Sequence, residues 1–347
     1  MAEFGGKIFN AEAFERYTKT LPRLKRNELL KSGAIYVDQK KVNTMRNQTT
    51  THIITEPIFG LIGGEPVNYD GNTDIKTHET PTAQQTMVVF GRANGWKETD
   101  FAEDIASTNF MNNVGSQIND YKDERDQEEI IAILNGIFSM TGAKNKVFPE
   151  QHTYKVDKPI DAITLNMAGQ KALGQNKGDI ALIIMHSRVA TTLENLQLLE
   201  YVTYNDEHGI QRPMGIARYA GKTVLIDDSM PFDEKTGEYT SYILGRKVLG
   251  YTPIAPKTPY EVVREAKAKG GYTELIHRWR RLVQPKGISF TQKSVASLSP
   301  TTAELAKGEN WELVVDTNGD VIDHQSIAIG RIITVEDKIE GGEEIGG

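Results

Sequence analysis

The chain has 347 residues and a formal net charge of −7, long enough for two or three packed regions and a sizeable core. That negative balance leaves no global positive field to hold a nucleic-acid backbone, which argues against a sequence-specific DNA binder. Cysteine is absent, so disulfides, thiolate catalysis and Cys-ligated zinc are excluded together and cohesion falls to packing, hydrogen bonds and subunit contacts.

The N-terminus has no signal-like apolar stretch and the chain has no apolar run of about eighteen residues, so the sequence reads as soluble and unexported. From Asn10 to Leu30, Phe14, Tyr17, Leu21, Leu24, Leu29 and Leu30 fall at loose helical spacings broken by Pro22. So little apolar surface reads as an arm that lies on something else. Thr51 to Gly64 and Thr86 to Trp96 are β-rich runs, joined by residues with almost nothing apolar but Val67, Tyr69 and Ile75. The pattern predicts a long hairpin-like excursion with a polar tip.

In that tip Asp70, Asn72 and Asp74 have the opening spacing of a calcium loop, repeated at Asp316, Asn318 and Asp320. An EF-hand loop needs Gly at its sixth position and a bidentate Glu at its twelfth. Those positions hold Ile75 and Pro81 in the first stretch, Val321 and Ile327 in the second. Both therefore read as polar turns.

The apolar period becomes helical from Phe101 to Phe138, across the charged KDERDQEE. A helix from about Asn109 to Met140 is predicted, too long for a compact domain and suited to a strut. Thr99 is the expected cap ahead of Glu103 and Asp104. After Pro149 the texture is α/β: a helix in DAITLNMAGQKALG, a buried strand from Gly178 to Ser187, and a helix in SRVATTLENLQLLEYV capped by Ser187. Strands follow at Thr223 to Pro231 and Tyr239 to Gly245, and the stretch from Tyr260 to Phe290 reads as a long antiparallel hairpin around Gly270 and Gly271. Two or three final strands surround the Asp316 turn, and the acidic, Gly-rich tail reads as disordered.

Several near-motifs point toward enzymes and stop short. GKT at Gly221 to Thr223 resembles the end of a phosphate loop and Asp227 an acidic magnesium strand, but the glycine spacing is wrong and β-formers follow Lys222 where a helix is needed. Seven histidines are dispersed without metal-ligand spacing and read as isolated imidazoles. His186 and Ser187 end a buried strand, as catalytic groups do in α/β enzymes, yet no nucleophile-elbow glycines surround the serine. The basic run Arg278, Arg280, Arg281 and Lys286, beside Trp279, puts Arg278 and Arg280 on one strand face and Arg281 on the other. That suits ion pairs with Glu261, Glu265 or another subunit better than nucleic acid.

The order arm, excursion, strut helix, α/β lobe, return hairpin and final strands resembles the major capsid (coat) proteins of tailed phages, with their Hong Kong 97-like fold. The phrases LKRNELLKSGAI, GGEPVNYDGNTDI, TDFAEDI, DQEEIIAILNGIFSMTGA, LIIMHSRVATTLENLQLL, GKTVLIDDSMP and NWELV carry the likeness, which runs from about Asn10 to Val335. It implies an α+β chain with an N-terminal arm (1–48), an E-loop (49–98), a P-domain with spine helix and hairpin (99–158 and 256–298), an axial α/β A-domain (159–255 and 299–335) and a disordered tail (336–347).

The resemblance further implies a non-enzymatic shell subunit that assembles as pentamers and hexamers in the host cytoplasm and resides in the virion. No cofactor or membrane is expected, and double-stranded DNA is enclosed without sequence-specific binding. The expected subunit contacts are Asp70, Asn72, Asp74 and Lys76 in the loop, and Arg278, Arg280 and Arg281 in the hairpin. Some members carry a scaffolding region before the arm; none precedes it here, which implies a separate scaffolding protein or earlier cleavage, beside a portal. Some crosslink a loop lysine to an asparagine, but apart from the position of Lys76 nothing here matches that motif, so crosslinking is not expected. The rival readings are an encapsulin-type compartment and, from another class, a nucleotide-dependent enzyme using Lys222 and Asp227.

Overall fold

In the computed structural model of the chain, residues 3–4, 7–8, 32–38, 41, 53–59, 64–78, 80–102, 110–205, 211–317 and 319–336 are described. The expectations for the arm helix, for Glu103 and Asp104, for Asn318 and for residues 337–347 lie outside them.

Two short strands, β1 (Glu3–Phe4) and β2 (Lys7–Ile8), pair with each other. After β3 (Ile35–Val37), β4 (Ile53–Phe59) and the long β5 (Thr82–Thr99) form the expected antiparallel pair, with Phe59 opposite Thr82 and Ile53 opposite Val88. Thr99 closes β5, and helical backbone begins at Asp100. Helix α1 (Phe110–Phe138) has 29 residues, about 44 Å at about 1.5 Å per residue. It is followed by α2 (Ala143–His152), β6 (Thr153–Lys155), α3 (Thr164–Leu173), β7 (Ile180–Met185) and α4 (Ser187–Asn195). Then come β8 (Leu199–Asn205), β9 (Gln211–Tyr219), β10 (Lys222–Ile226), β11 (Phe232–Asp233) and β12 (Glu238–Gly245). The remaining elements are β13 (Leu249–Ile254), β14 (Tyr260–Glu265), β15 (Tyr272–Pro285), β16 (Ile288–Phe290), α5 (Thr302–Leu305), β17 (Trp311–Leu313) and β18 (Ile329–Val335).

Two sheets organise these strands. The larger runs β6-β18-β12-β7-β10-β9-β8, with β11 added beside β12; the smaller runs β3-β13-β15-β5-β4, with β14 beside β15. In the larger sheet β7 and β10 are parallel and buried on both faces, which explains the unbroken apolar run ALIIM. Leu182, Ile184, Leu225, Tyr242 and Leu244 point to one core; Ile183, Met185, Val224 and Ile243 point to a second, beneath α3 and α4.

The first of these cores also takes Val88, Phe90, Tyr251 and Val283 from the smaller sheet. Between the two sheets lies the C-terminal half of α1, where Ile130, Ile131, Ala132, Ile133 and Leu134 are all buried in succession. A helix wrapped by protein on all sides needs no polar face. The strut of the sequence is thus an axle shared by both sheets.

Gly136 on that helix is a close approach. A Cβ there would stand 2.3 Å from the Leu305 carbonyl oxygen and 2.4 Å from the Trp311 indole nitrogen, which itself donates to Leu305 O at 2.7 Å. Gly136→Ala is therefore expected to destabilise by about 1–3 kcal/mol through overpacking, although an exposed helical Gly→Ala gains stability. Urea midpoints of the unassembled variant and parent measure the difference.

One sequence expectation is corrected in the larger sheet. The helix predicted through LQLLEYV ends at Asn195, because Gln197 takes a left-handed φ of 56° and Leu198 N closes onto Leu193 O at 2.9 Å, after which Leu199 begins β8. Glu336, assigned to the tail, is instead buried: its carboxylate accepts from Thr192 Oγ1 at 2.6 Å and from Thr334 Oγ1 at 2.7 Å.

Candidate assembly interface

The β4–β5 ladder leads out to residues with almost no support from their own chain. Over 64–78 every residue is exposed except half-buried Val67, and Tyr69 and Ile75 are 94% and 73% exposed. These large side chains stand open to solvent in a segment without regular structure.

At the tip the calcium-like spacing resolves into a turn. Asp70 Oδ1 accepts the Asn72 and Thr73 amides at 2.9 and 2.7 Å, while Oδ2 accepts Thr73 Oγ1 at 2.9 Å and Gly71 takes a φ of 78°. The Asn72 amide leads the causes that hold the Asp70 carboxyl below its ordinary range. Asn72, Asp74 and Lys76 stand in solvent. The second spacing is also a turn: Asp316 Oδ1 accepts the Asp320 amide at 2.9 Å, and Asp316 N donates to Asp320 O at 2.8 Å.

The hairpin of β14 and β15 forms in the expected register, Tyr260 opposite His277 and Glu265 opposite Tyr272. All six residues of β14 are exposed. Arg278 pairs with Glu261 at 2.9 Å, as the spacing suggested. Glu265 instead accepts the Lys267 amide, and its neighbour Arg264 forks onto Asp100 at 2.7 and 3.1 Å. Arg280 is half-buried, with its stem against Gly91.

Arg281 is a correction. Its strand face turns inward onto α1, so at 1% exposure it cannot reach another subunit; it forms ion pairs with Asp126 and Glu129 of that helix. Arg92 Nε meets the other Glu129 oxygen at 2.7 Å, and Tyr251 donates its hydroxyl to Asp126 at 2.6 Å. Two acids thus face two guanidinium groups, and the charge of this buried cluster balances. The acids sit in KDERDQEE, three residues apart on one helix face, a spacing that does not by itself distinguish buried carboxylates from solvent-facing ones.

The enzyme-like stretches resolve differently. Lys222 donates to Gly178 O at 3.2 Å and opens β10, so no helix N-terminus faces it. Asp227 follows the far end of that strand, about 17 Å away at about 3.3 Å per residue, where it accepts from Gln127 and from Ser229. Helix α4 is capped by His186 and not by Ser187: His186 Nδ1 accepts the Arg188 amide at 3.0 Å. That nitrogen is engaged as a cap and is not free to take the proton of the Ser187 hydroxyl 3.5 Å away.

The imidazoles are not all isolated, which is a second correction. His152, at 1% exposure, holds the Ile329 carbonyl at 2.6 Å through Nδ1, so Nδ1 carries the hydrogen. Its Nε2 must then accept from His324 Nδ1, 3.0 Å away. The ring centroids lie 5.2 Å apart, the spacing of nitrogens that face each other along one line. Such a pair hydrogen-bonds; it does not converge on a metal. Burial leads the causes that push His152 down to about 4.

No family model matches the chain. It is 30% identical over 263 residues to the major capsid protein of Bacillus phage SPP1, covering 75% of this chain and 78% of that one. Its fold is similar to the head of Helicobacter pylori bacteriophage KHP40, with a TM-score of 0.55 at 11% identity over 97% of this chain and 95% of that chain. The capsid of cyanophage Pam1 gives 0.55 at 11% identity over 97% and 96%, and that of Ralstonia phage GP4 gives 0.56 at 8% over 89% of each. With an open excursion on one sheet, a helix between two sheets, and this sequence relative, the chain belongs to the major capsid proteins of tailed phages, in their Hong Kong 97-like fold.

Proposed function

We propose that the chain builds the icosahedral head by lapping its 60–81 excursion over a neighbouring copy while its larger sheet packs about the symmetry axes in pentamers and hexamers. The exposed Tyr69 and Ile75 carry this reading, since both would be covered only in the assembled shell. On this reading the excursion is the E-loop, α1 and the β14–β15 hairpin form the P-domain, and the larger sheet forms the A-domain. Asp70, Asn72, Asp74, Lys76, Arg278 and Arg280 contribute to contacts. Many modest patches in a closed shell give cooperative stability without disulfides. The role is structural and not enzymatic, with a separate scaffolding protein and portal as partners, assembly in the host cytoplasm, and double-stranded DNA inside. The net charge of −7 suits a wall that does not trap the genome.

Light scattering and negative-stain imaging of the purified chain, with scaffolding protein supplied, test this. A compact monomer of this length has a radius of gyration of about 20 Å, whereas a closed shell is on the order of tens of nanometres across. Closed particles or rings support the proposal, and a persistent compact monomer overturns it. The double variant Tyr69→Ser with Ile75→Ser is expected to leave the subunit fold unchanged and to lower shell yield about tenfold, because simultaneous engagement of neighbours is lost.

A further inference from the structure

The long strand β5 has two parts with different support. From Val89 to Thr99 it pairs with β15 on one side, but from Thr82 to Val88 its strand partner among the described residues is β4. An isolated two-stranded ladder is marginal in water, and β4 is exposed at every second residue. The ladder alone therefore does not fix where the excursion points.

Direction matters because the excursion is long. From the end of β4 to Asp70 the chain has eleven residues, an extended reach of at most about 36 Å at about 3.3 Å per residue. An error of about 10° at the root would move the tip by about 6 Å, beyond the roughly 4.5 Å at which apolar side chains touch.

Other groups take hold of the root. Gln85, 1% exposed, donates to the carbonyls of Pro285 and Ile288 at 2.6 and 2.7 Å and accepts from Gln284 at 3.0 Å. The Thr86 amide meets Ser289 Oγ at 3.1 Å, and Lys41 Nζ joins Glu56 of β4 to Gln284, each at 2.5 Å. At the outermost rung stands the second Asp-Asn-Asp turn. Thr317 N donates to Thr82 O at 3.0 Å, and Asp316 bridges Ala83. The turn is itself stiffened by the Asp316–Asp320 bonds, by a Val315–Val321 bridge and by Lys144 Nζ on Gly319 O at 3.0 Å.

We propose that the Val314–Ile322 turn is the abutment that sets the direction of the 60–81 excursion, with Thr317 as its positioning residue. This rests on the reading of the excursion as the element that laps a neighbouring copy. The motif that imitates a calcium loop in the sequence then acts on assembly through Thr82.

Thr317→Pro removes the amide donor that the turn offers to Thr82 O. The melting temperature of the unassembled variant is expected to stay within about 2 °C of the parent, while the yield of closed shells of parental diameter falls about tenfold. In the unaltered subunit the Thr317 amide is expected to exchange about 100-fold more slowly than amides of 64–78, which lack protecting structure. Parental yield and diameter in Thr317→Pro, or a Thr317 amide that exchanges as fast as the tip, overturns the abutment. Should the proline variant not fold, Asp316→Ala loosens the same turn without removing a backbone donor and is read the same way. A parent that forms no shells, or shells indifferent to the Tyr69 and Ile75 substitutions, overturns the lapping role itself, a different result.

Discussion

Arg281→Ala is expected to lower the stability of the unassembled subunit by about 3–5 kcal/mol, because it strands a carboxylate in the protein interior. Asp126 and Glu129 are 6% and 2% exposed; after the substitution Glu129 keeps the Arg92 guanidinium, while Asp126 keeps the neutral Tyr251 hydroxyl. The penalty is the cost of uncompensated buried charge and exceeds anything a surface pair would give. Combining Asp126→Asn with Arg281→Met is expected to recover most of the loss, since one charge of each sign leaves and Glu129 keeps its pair with Arg92. Urea unfolding at neutral pH measures both. A midpoint for Arg281→Ala equivalent to less than about 1 kcal/mol, the range of ordinary surface changes, would mean that the guanidinium is not held in this cluster.

Acid is expected to act through His152. Its folded value of about 4 lies below the ordinary 6.5, so the unfolded chain binds the proton more readily. The stabilisation is present in full above about pH 6.5 and is lost as pH falls toward about 4, by about 3 kcal/mol at about 1.36 kcal/mol per pH unit. Physically, a proton on Nε2 would confront the His324 hydrogen and break the link between α2 and the segment before β18. His152→Gln keeps a donor for the Ile329 carbonyl without titrating. Its urea midpoints should be nearly flat between pH 6.5 and 4.5, where those of the parent decline. Equal slopes would reject the role. Asp161, held down to about 2 chiefly by its hydrogen bond to Lys158, loses its contribution only at lower pH and does not obscure the window.

The elements most legible in the sequence were those with a strong local period. The β4–β5 excursion showed in its two β-rich runs and its bare middle, the axle helix in its change of period, and the β14–β15 hairpin in its glycines. Where the sequence reading departed from the structure, the cause lay in distance along the chain. LQLLEYV suits helix or strand equally, and a left-handed Gln197 without a glycine gave no warning of the break. Alternation put Arg281 on the opposite face from Arg278 and Arg280, but not which face meets α1. His152 and His324 meet across 172 positions, and no spacing rule reaches that far.

Because the axle helix and the inner faces of both sheets share one apolar core, the two sheets cannot be treated as separate genetic units. A temperature-sensitive lesion at Val283 or Tyr251 on the smaller sheet would weaken the same core as one at Leu182 or Leu244 on the larger. Second-site suppressors of either are expected on both sheets and along Ile130 to Phe138. Substitutions at the tip, between Asn68 and Thr77, touch no part of that core. Their suppressors should appear on whatever surface of a neighbouring subunit receives the tip, so the two classes of revertant would separate folding from assembly without a purified protein.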